Sequence, residues 1–502
     1  MIEWPGKLVM VGFQGTETDD HLRRMIEEFR VGGVILFRRN VVNADQVDSL
    51  TEEIQRIAKN AGYESPLIIS IDQEGGMVNR IRDGITLSPG NMAIGAIGKE
   101  EIAREIGEII GRELSSIGIN MNLAPVLDLA RSPSNHLGTR CFGEDPWLVG
   151  SMGRELSGGL ADYGVSPVGK HFLGYGSSKT DPHMDLPRNN LGSEQLESSL
   201  EPFRIARDNL QGIMTAHIIL DSIDSSPATL SAKVIKGLLR EKIGFTGPVI
   251  TDCLEMEAIQ DIYGTGEAAV RAVKSGADLL VISHHQREQI SAIRSLRRAL
   301  TEGRLEKKNF EESWKRVNRI SSTKPWNTSS SYSLEEDEER ITEISGQTIT
   351  ALCTEGIPLK EGDEVLSINP KLSGHSLSPV QDREYGLLSV NSKLEEAGVG
   401  VSEVVYEKEV PDFRRLENQL KNCDKVIVLA LEANSRVNDL AKFITREEAK
   451  MILVSLQNPW GFKDIPADSL LLTYGYSRPS LKGLADVLLG RIRPNSNPPV
   501  TL

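Results

Sequence analysis

Short apolar runs alternate with longer amphipathic stretches along the chain up to about residue 320. Each apolar run has the length of a strand, and each amphipathic stretch repeats apolar residues at helical spacing. This alternation is typical of repeated βα units, which build a parallel sheet covered by helices. Eight such runs are present, at residues 7–13, 32–37, 66–72, 121–128, 166–172, 212–218, 247–252 and 277–283. We therefore predict an α/β fold whose first part is a closed (β/α)8 barrel of the TIM type.

The pattern changes at residues 321–340, which read SSTKPWNTSSSYSLEEDEER. Serine, threonine and acidic residues leave this stretch little to bury, as in a linker. We predict a barrel domain over residues 1–322, then a linker with the start of a connecting helix over residues 323–340. A second domain is predicted over residues 341–502.

The second domain repeats the alternation with fewer strands. Its helical segments include residues 477–490, and its apolar runs lie at residues 364–370, 425–431, 451–457 and 469–476. This pattern predicts a three-layer αβα sandwich. No glycine-rich phosphate loop follows its first strand, so we expect a structural or oligomerisation role rather than nucleotide binding. The oligomeric state itself is left open.

Composition narrows the range of partners. The chain has 502 residues, of which 39% are hydrophobic, and a formal net charge of −14 without a lysine and arginine cluster. Such a surface repels a phosphate backbone, so nucleic acid is not an expected partner. No run of about 18 apolar residues occurs, and the first residues lack a basic and then apolar leader. We therefore expect no membrane association and a cytoplasmic location.

The cysteines do not suggest a bound metal. Cys141, Cys253, Cys353 and Cys423 are far apart and show no CxxC spacing. Neither a zinc site nor a disulfide framework follows from this pattern, and buried free thiols are expected.

Polar residues terminate several of the predicted barrel strands. The carboxyl ends of all strands meet at one mouth of a (β/α)8 barrel, which is where such folds place their chemistry. A single aspartate there could equally cap a helix, but a set of polar residues in one mouth indicates a site. The set is Asp72, Asp128, Lys170, His171, His217 and Asp252.

The loop after the fifth strand carries a second signal. It reads KHFLGYGSSKTDPHMDLP and places Asp181 two residues before His183. A carboxylate beside a histidine fixes the tautomer of the imidazole and favours its protonated form, as a proton donor requires. The alternative is an Asx-turn followed by an incidental surface histidine.

Four segments together resemble the signatures of glycoside hydrolase family 3, in its β-N-acetylglucosaminidase branch. They are IDQEGGMVNR, TRCFGEDP, KHFLGYGSSKTDPH and VITDCLEMEAI, and the closing part of the chain resembles the second domain of two-domain members. The resemblance implies a retaining exo-β-N-acetylglucosaminidase that releases terminal GlcNAc from peptidoglycan-derived or chitin-derived oligosaccharides. It also implies catalysis without a cofactor or metal ion.

The resemblance assigns a role to each matching position. Asp252 matches the nucleophile, His183 the general acid/base, and Asp181 its dyad partner. The remaining matches contact the sugar hydroxyls and the acetamido group, and they are Asp72, Arg80, Arg140, Lys170 and His171.

The chain departs from the family pattern beside these positions. Met77 replaces the arginine of a GGR motif, Leu173 and Tyr175 replace two residues of KHFPGHG, and Cys253 replaces a second acidic residue. We expect the two changes in the loop to affect its geometry and the preference for the aglycone.

Three other functions are compatible with the barrel pattern. A β-glucosidase of the same family would take its acid/base carboxylate from elsewhere, and the Asp181–His183 pair argues against it. A β-N-acetylglucosaminide phosphorylase would use phosphate in place of water, which the sequence does not exclude. A catalytically silent sugar-binding protein would lack turnover of a chromogenic N-acetylglucosaminide.

Overall fold

A computed structural model of the chain describes residues 5–133, 136–177, 186–321, 332–371, 388–406 and 413–502. Its first part is a barrel of eight parallel strands, each hydrogen-bonded to its neighbours in chain order. The barrel closes between the last two strands, where Ile250 pairs with Leu279 and the Thr251 N–H donates to the Leu279 carbonyl at 2.9 Å. The strands are β1 (Val9–Val11), β2 (Gly33–Leu36), β3 (Ile68–Ile71), β4 (Met121–Asn122), β5 (Ser166–Phe172), β6 (Gly212–Thr215), β7 (Val249–Thr251) and β8 (Leu280–Ile282).

Every barrel strand lies inside one of the eight predicted apolar runs, so the predicted (β/α)8 fold is confirmed. The runs are continuous because helices cover the outer face of each strand and side chains fill the inner face. All residues of these strands are buried.

Helices follow the strands and surround the barrel. Their starts carry side-chain caps: the Gln46 N–H donates to the Asn43 side chain, and the Leu148 N–H donates to Asp145 just before Pro146. One further helix, Lys233–Lys242, has π-type hydrogen bonds. The α-helices are α1 (Asp20–Glu27), α2 (Ala44–Asn60), α3 (Asn91–Ile97), α4 (Glu100–Ser116), α5 (Pro146–Asp162), α6 (Ser193–Ala206), α7 (Glu257–Tyr263), α8 (Thr265–Ser275), α9 (Gln286–Thr301) and α10 (Lys307–Ser321).

The second domain contains a six-stranded sheet in the spatial order β9-β14-β13-β12-β10-β11. Only the β9 edge strand is antiparallel to its neighbour. The strands are β9 (Thr350–Thr354), β10 (Glu364–Pro370), β11 (Gly400–Tyr406), β12 (Lys425–Ala430), β13 (Lys450–Ser455) and β14 (Ser469–Leu472). Four of them match predicted runs, whereas the edge strands β9 and β11 were not predicted.

Helices lie on both faces of this sheet, as a three-layer sandwich requires. Alternate residues of one strand enter different cores: Val426 joins the cluster that contains Leu440, and Ile427 joins the cluster that contains Leu484. The helices of this part of the chain are α11 (Leu334–Gln347), α12 (Leu388–Glu396), α13 (Phe413–Leu420), α14 (Ser435–Arg446) and α15 (Arg478–Leu488).

Helix α11 connects the two domains and packs against both. Asp337 accepts two hydrogen bonds from Arg112 of α4, at 2.6 and 2.7 Å, and Arg340 donates to Glu105 at 2.7 Å. The last helix of the barrel ends at Ser321, and the predicted boundary near residue 323 stays a prediction. Among the helices of the described ranges, none has both the length and the hydropathy of a membrane span.

Candidate active site

Six of the eight predicted site residues line one pocket at the carboxyl ends of the barrel strands. Asp72 follows β3, Asp252 follows β7, and Lys170 lies within β5. His171 also lies within β5, and the loops after β3 and β4 add Arg80 and Arg140. The six residues are Asp72, Arg80, Arg140, Lys170, His171 and Asp252. The predicted dyad of Asp181 and His183 lies outside the described residues.

A buried carboxylate, Glu74, organises the cations of this pocket. Its two oxygens accept from Nε and Nη2 of Arg140, both at 2.8 Å, and one of them lies 2.6 Å from Nζ of Lys170. Lys170 Nζ also donates to Asp72 at 2.7 Å. The side chains of Glu74 and Lys170 are 1% and 2% exposed, so these ion pairs are shielded from solvent and salt.

The charges of the network determine the ionisation of Glu74. Burial alone raises the pKa of a carboxyl group, but the positive charges of Arg140 and Lys170 outweigh it and hold the pKa of Glu74 below its usual range. The same carboxylate raises the pKa of Arg140 against the effect of burial. Glu74 and Arg140 are therefore both ionised at neutral pH.

The residues from Gln73 to Asn79 form a small antiparallel hairpin, with strands Gln73–Gly75 and Val78–Asn79. Gln73 holds its base: its side chain donates to Asn79 at 3.2 Å and to the Ile81 carbonyl at 2.9 Å. Arg80 follows the hairpin and reaches Asp72 at 3.6 Å. The hairpin thus fixes Asp72, Glu74 and Arg80 relative to one another.

His171 is oriented by a carboxylate below it. Asp128 accepts from the His171 backbone N–H at 2.8 Å and from Nδ1 at 2.9 Å. This bond leaves Nε2 of the ring as the atom available to a ligand. Tyr175 packs against the same ring with a centroid distance of 5.1 Å, and its hydroxyl accepts the His217 N–H at 2.6 Å. Tyr175 therefore links His171 to the end of β6.

His217 supports the site from below rather than lining it. Its side chain is fully buried, and its ring nitrogens lie 2.8 Å from the Thr229 hydroxyl and 2.8 Å from the Cys253 carbonyl. The second bond fixes the backbone just after Asp252. Asp252 itself is partly exposed, and its Oδ1 accepts the Cys253 N–H at 2.8 Å.

Cys253 and Glu255 explain one departure from the family pattern. Burial raises the pKa of the Cys253 thiol to about 12, so it stays protonated and does not replace a carboxylate. Glu255, two residues later, is buried and accepts the backbone N–H groups of His284 and His285, both at 2.7 Å. A carboxylate therefore still connects the loops after β7 and β8.

Sequence reasoning missed Glu74, Tyr175 and His284 as members of the site. Glu74 lies three residues after the end of β3, and its burial among cations is visible only in three dimensions. His284 lies two residues after the end of β8 and lines the pocket, so the strand-end criterion applied to the other residues could have found it.

Comparisons with known proteins show which family the chain resembles. Residues 3–320 match the family model for the glycosyl hydrolase family 3 N-terminal domain. A β-hexosaminidase of Alkalilimnicola ehrlichii is 36% identical over 296 residues, which cover 57% of this chain and 84% of that protein. β-Hexosaminidase A of Pseudoalteromonas piscicida is 27% identical, with 97% of this chain and 92% of that protein covered.

A solved structure extends the similarity to both domains. The family 3 β-N-acetylglucosaminidase of Paenibacillus sp. str. FPU-7 superposes with a TM-score of 0.92 and 34% sequence identity. The superposition covers 100% of this chain and 99% of that protein.

Proposed function

The chain belongs to glycosyl hydrolase family 3 and is a glycoside hydrolase, and from this premise we propose that it is a retaining exo-β-N-acetylglucosaminidase. One observation carries the proposal: all six described residues that the resemblance assigns to the site line the same pocket. Relatives named β-hexosaminidase and the β-N-acetylglucosaminidase structure support N-acetylglucosamine as the sugar.

The charge balance of the pocket suits an uncharged sugar. Three cations, Arg80, Arg140 and Lys170, face the carboxylates of Asp72, Glu74 and Asp252. A neutral ligand can exchange hydrogen bonds with both signs of charge without leaving either unpaired. We infer that Asp72, Arg80, Lys170 and His171 bind hydroxyl groups and that Arg140 completes the sugar site.

In the proposed first step the Asp252 carboxylate attacks the anomeric carbon and the bond to the leaving oxygen breaks. His183, oriented by Asp181, gives its proton to that oxygen. In the second step water attacks the anomeric carbon, His183 takes its proton, and the ester bond to Asp252 breaks. Two displacements at one carbon retain the β configuration of the product.

Turnover of aryl β-N-acetylglucosaminide and aryl β-glucoside tests the proposal. We expect the first to be cleaved at least about a hundredfold faster, because buried polar groups reject a sugar that lacks its partner group. The product should form first as the β-anomer, and EDTA should leave the rate unchanged. Equal rates on both substrates, or an α-anomer as first product, would contradict the proposal, and a phosphate requirement would indicate a phosphorylase.

The natural substrate is the finer part of the proposal. We propose that the enzyme releases non-reducing terminal GlcNAc from peptidoglycan-derived or chitin-derived oligosaccharides in the cytoplasm. Rates on GlcNAc-anhydroMurNAc and on chitobiose, measured side by side, decide between the two classes. Failure to release GlcNAc from either would contradict this assignment while leaving the aryl substrate result intact.

A further inference from the structure

The hairpin that carries the sugar-binding groups has its tip in the second domain. Its base holds Asp72, Glu74 and Arg80 at the pocket, whereas Met77 at its turn is 3% exposed and belongs to a hydrophobic cluster. Every other buried member of that cluster lies between Ile349 and Leu488. The barrel thus inserts one side chain into the core of its neighbour.

A second contact supports the hairpin from behind. Its turn lies against the segment from Ser88 to Gly90: the Gly76 N–H donates to the Ser88 carbonyl at 3.0 Å. A Cβ on Gly76 would come within 3.0 Å of the Gly90 Cα. The outer side of the segment touches the second domain, since a Cβ on Gly475 would lie 3.2 Å from the Pro89 carbonyl oxygen. The backbone at Gly475, the Ser88–Gly90 segment and the hairpin therefore pack one against the next, up to the sugar site.

The surrounding ion pairs contribute little to this contact. Arg478 at the start of α15 lies 3.6 Å from Asp83, and both side chains are about half exposed, at 48% and 63%. Exposed pairs of this kind are weak and screened by salt. The apolar insertion of Met77 is the interaction that can fix the position of the hairpin.

We propose that the second domain is a positioning element of the sugar site and that it acts through Met77 and through the Ser88–Gly90 segment behind the hairpin. The inference rests on the proposed sugar-binding roles of Asp72 and Arg80, and it assigns a function to a residue at which the chain departs from its family. An isolated two-stranded hairpin is marginally stable in water. Docking its turn in a folded core holds the carboxylates at its base in the geometry that a sugar requires.

Three variants test the proposal on the full-length chain with an aryl β-N-acetylglucosaminide. Met77→Ala removes the inserted side chain, Met77→Leu restores an apolar side chain of similar volume, and Leu484→Ala is the matched control. Leu484 is a fully buried member of the same cluster but lies on α15. All three are assayed below their unfolding temperatures.

We expect Met77→Ala to raise KM about tenfold, the effect of weakening one polar contact to the sugar, with a smaller change in kcat. Met77→Leu should restore KM to within about twofold of the wild-type value, and Leu484→Ala should lower the unfolding temperature without changing KM. Hydrogen exchange of the amides in residues 73–80 should accelerate in Met77→Ala alone. An unchanged KM in Met77→Ala, or equal effects in Met77→Ala and Leu484→Ala, would overturn the proposal.

A variant on the other domain keeps the test valid if Met77→Ala does not fold. Gly475→Val presses on the Pro89 carbonyl while Met77 stays in place, and we expect a rise in KM there too. An unchanged KM in Gly475→Val would contradict the proposal. Absence of wild-type turnover would instead refute the proposed function, so the two failures are distinguishable.

Discussion

Some parallel strands of each domain end in polar residues, but these residues make different contacts. At the mouth of the barrel they are charged, and they line a pocket: Asp72, Lys170 and Asp252 are examples. In the sandwich, Ser455 at the end of β13 and Thr473 just after β14 carry hydroxyls that bond to nearby backbone. The Ser455 hydroxyl donates to the Asn458 carbonyl at 2.8 Å, and that of Thr473 lies 2.8 Å from the Gly475 carbonyl.

The difference separates a binding site from a structural strand end. A hydroxyl that donates to a carbonyl within a few residues stabilises a turn, and its one donor hydrogen is no longer available to a ligand. Buried cations and carboxylates in one pocket are retained at a cost in desolvation, which ligand recognition or catalysis accounts for. A charged residue at a strand end therefore indicates a binding site more strongly than an uncharged polar residue does.

The largest effect is expected from Asp252→Ala. Loss of the nucleophile should lower kcat by a factor on the order of 10⁴ or more, while the unfolding temperature stays close to the wild-type value. Asp252 is partly exposed, and its Oδ1 accepts the adjacent backbone N–H of Cys253. Activity near wild type on an aryl N-acetylglucosaminide would remove Asp252 from the proposed mechanism.

His183→Ala should separate substrates by their leaving groups. An alkoxide-like sugar needs the proton donor, so its cleavage should slow by about 10² to 10⁴, whereas an activated aryl group departs without protonation. Loss of the base in the second step should then produce a burst followed by slow turnover. Asp181→Asn should show the same pattern more mildly. Equal slowing of both substrates without a burst would mean that His183 is not the acid/base.

Glu74→Gln tests the charged side of this comparison, because Glu74 is an ion-pair partner of Lys170. The change leaves Arg140 and Lys170 buried without their shared carboxylate, so the free energy of unfolding should fall by about 3–5 kcal/mol. We expect kcat/KM to fall by about 10²-fold as well, because the cations then reorient Asp72.

Ser455→Ala is the control from the sandwich. It should cost about 1 kcal/mol of unfolding free energy and leave kcat/KM unchanged. Urea denaturation and steady-state kinetics on both variants measure the contrast. Similar losses of kcat/KM in Glu74→Gln and Ser455→Ala would show that the two kinds of strand end are equivalent.

Glu113 is a second buried carboxylate, and the hydrogen bonds described for it come from uncharged groups instead of from cations. It accepts from the Thr86 N–H at 2.8 Å and the Thr86 hydroxyl at 2.6 Å, and burial raises its pKa to about 7. The folded chain then holds a proton that the unfolded chain releases near pH 4.5, so the free energy of unfolding falls as pH rises between these values.

No effect on activity is expected from Glu113→Gln, which removes this titration and acts on stability alone. Relative to wild type, the variant should gain about 1–3 kcal/mol of unfolding free energy between pH 5 and pH 8. Denaturation curves at both pH values measure the gain. A difference between the two proteins that is the same at both pH values would exclude Glu113 as the titrating group.

The sequence predicted the barrel better than the sandwich because of where each strand is buried. All eight barrel strands are covered on both faces and read as continuous apolar runs. The strands missed, β9 and β11, are the two edges of the sandwich sheet, and both contain exposed residues, such as Leu352 and Ser402. An edge strand with solvent-exposed residues has no continuous apolar run from which it could be predicted.

The site was predictable where a residue terminates a strand, as for Asp72 and Asp252, and where the family resemblance named it. Two features could not be inferred because they depend on distant parts of the chain. Glu74 is defined by cations from the loop after β4 and from β5 itself, and Met77 by a core that begins more than 250 residues later, at Ile349. The local sequence shows neither the cations around Glu74 nor the core around Met77.

The insertion of Met77 into the sandwich core makes sugar binding and the folding of that core thermodynamically linked. Linkage is reciprocal: a core whose folding improves the affinity for a ligand must itself be stabilised when that ligand binds. Saturation with the product N-acetylglucosamine should therefore slow hydrogen exchange in α15, although the sugar binds at the barrel mouth. The same coupling free energy sets the gain in sugar affinity and the slowing of hydrogen exchange. Comparing the slowing in the wild type with that in Met77→Ala therefore measures the coupling between the two domains.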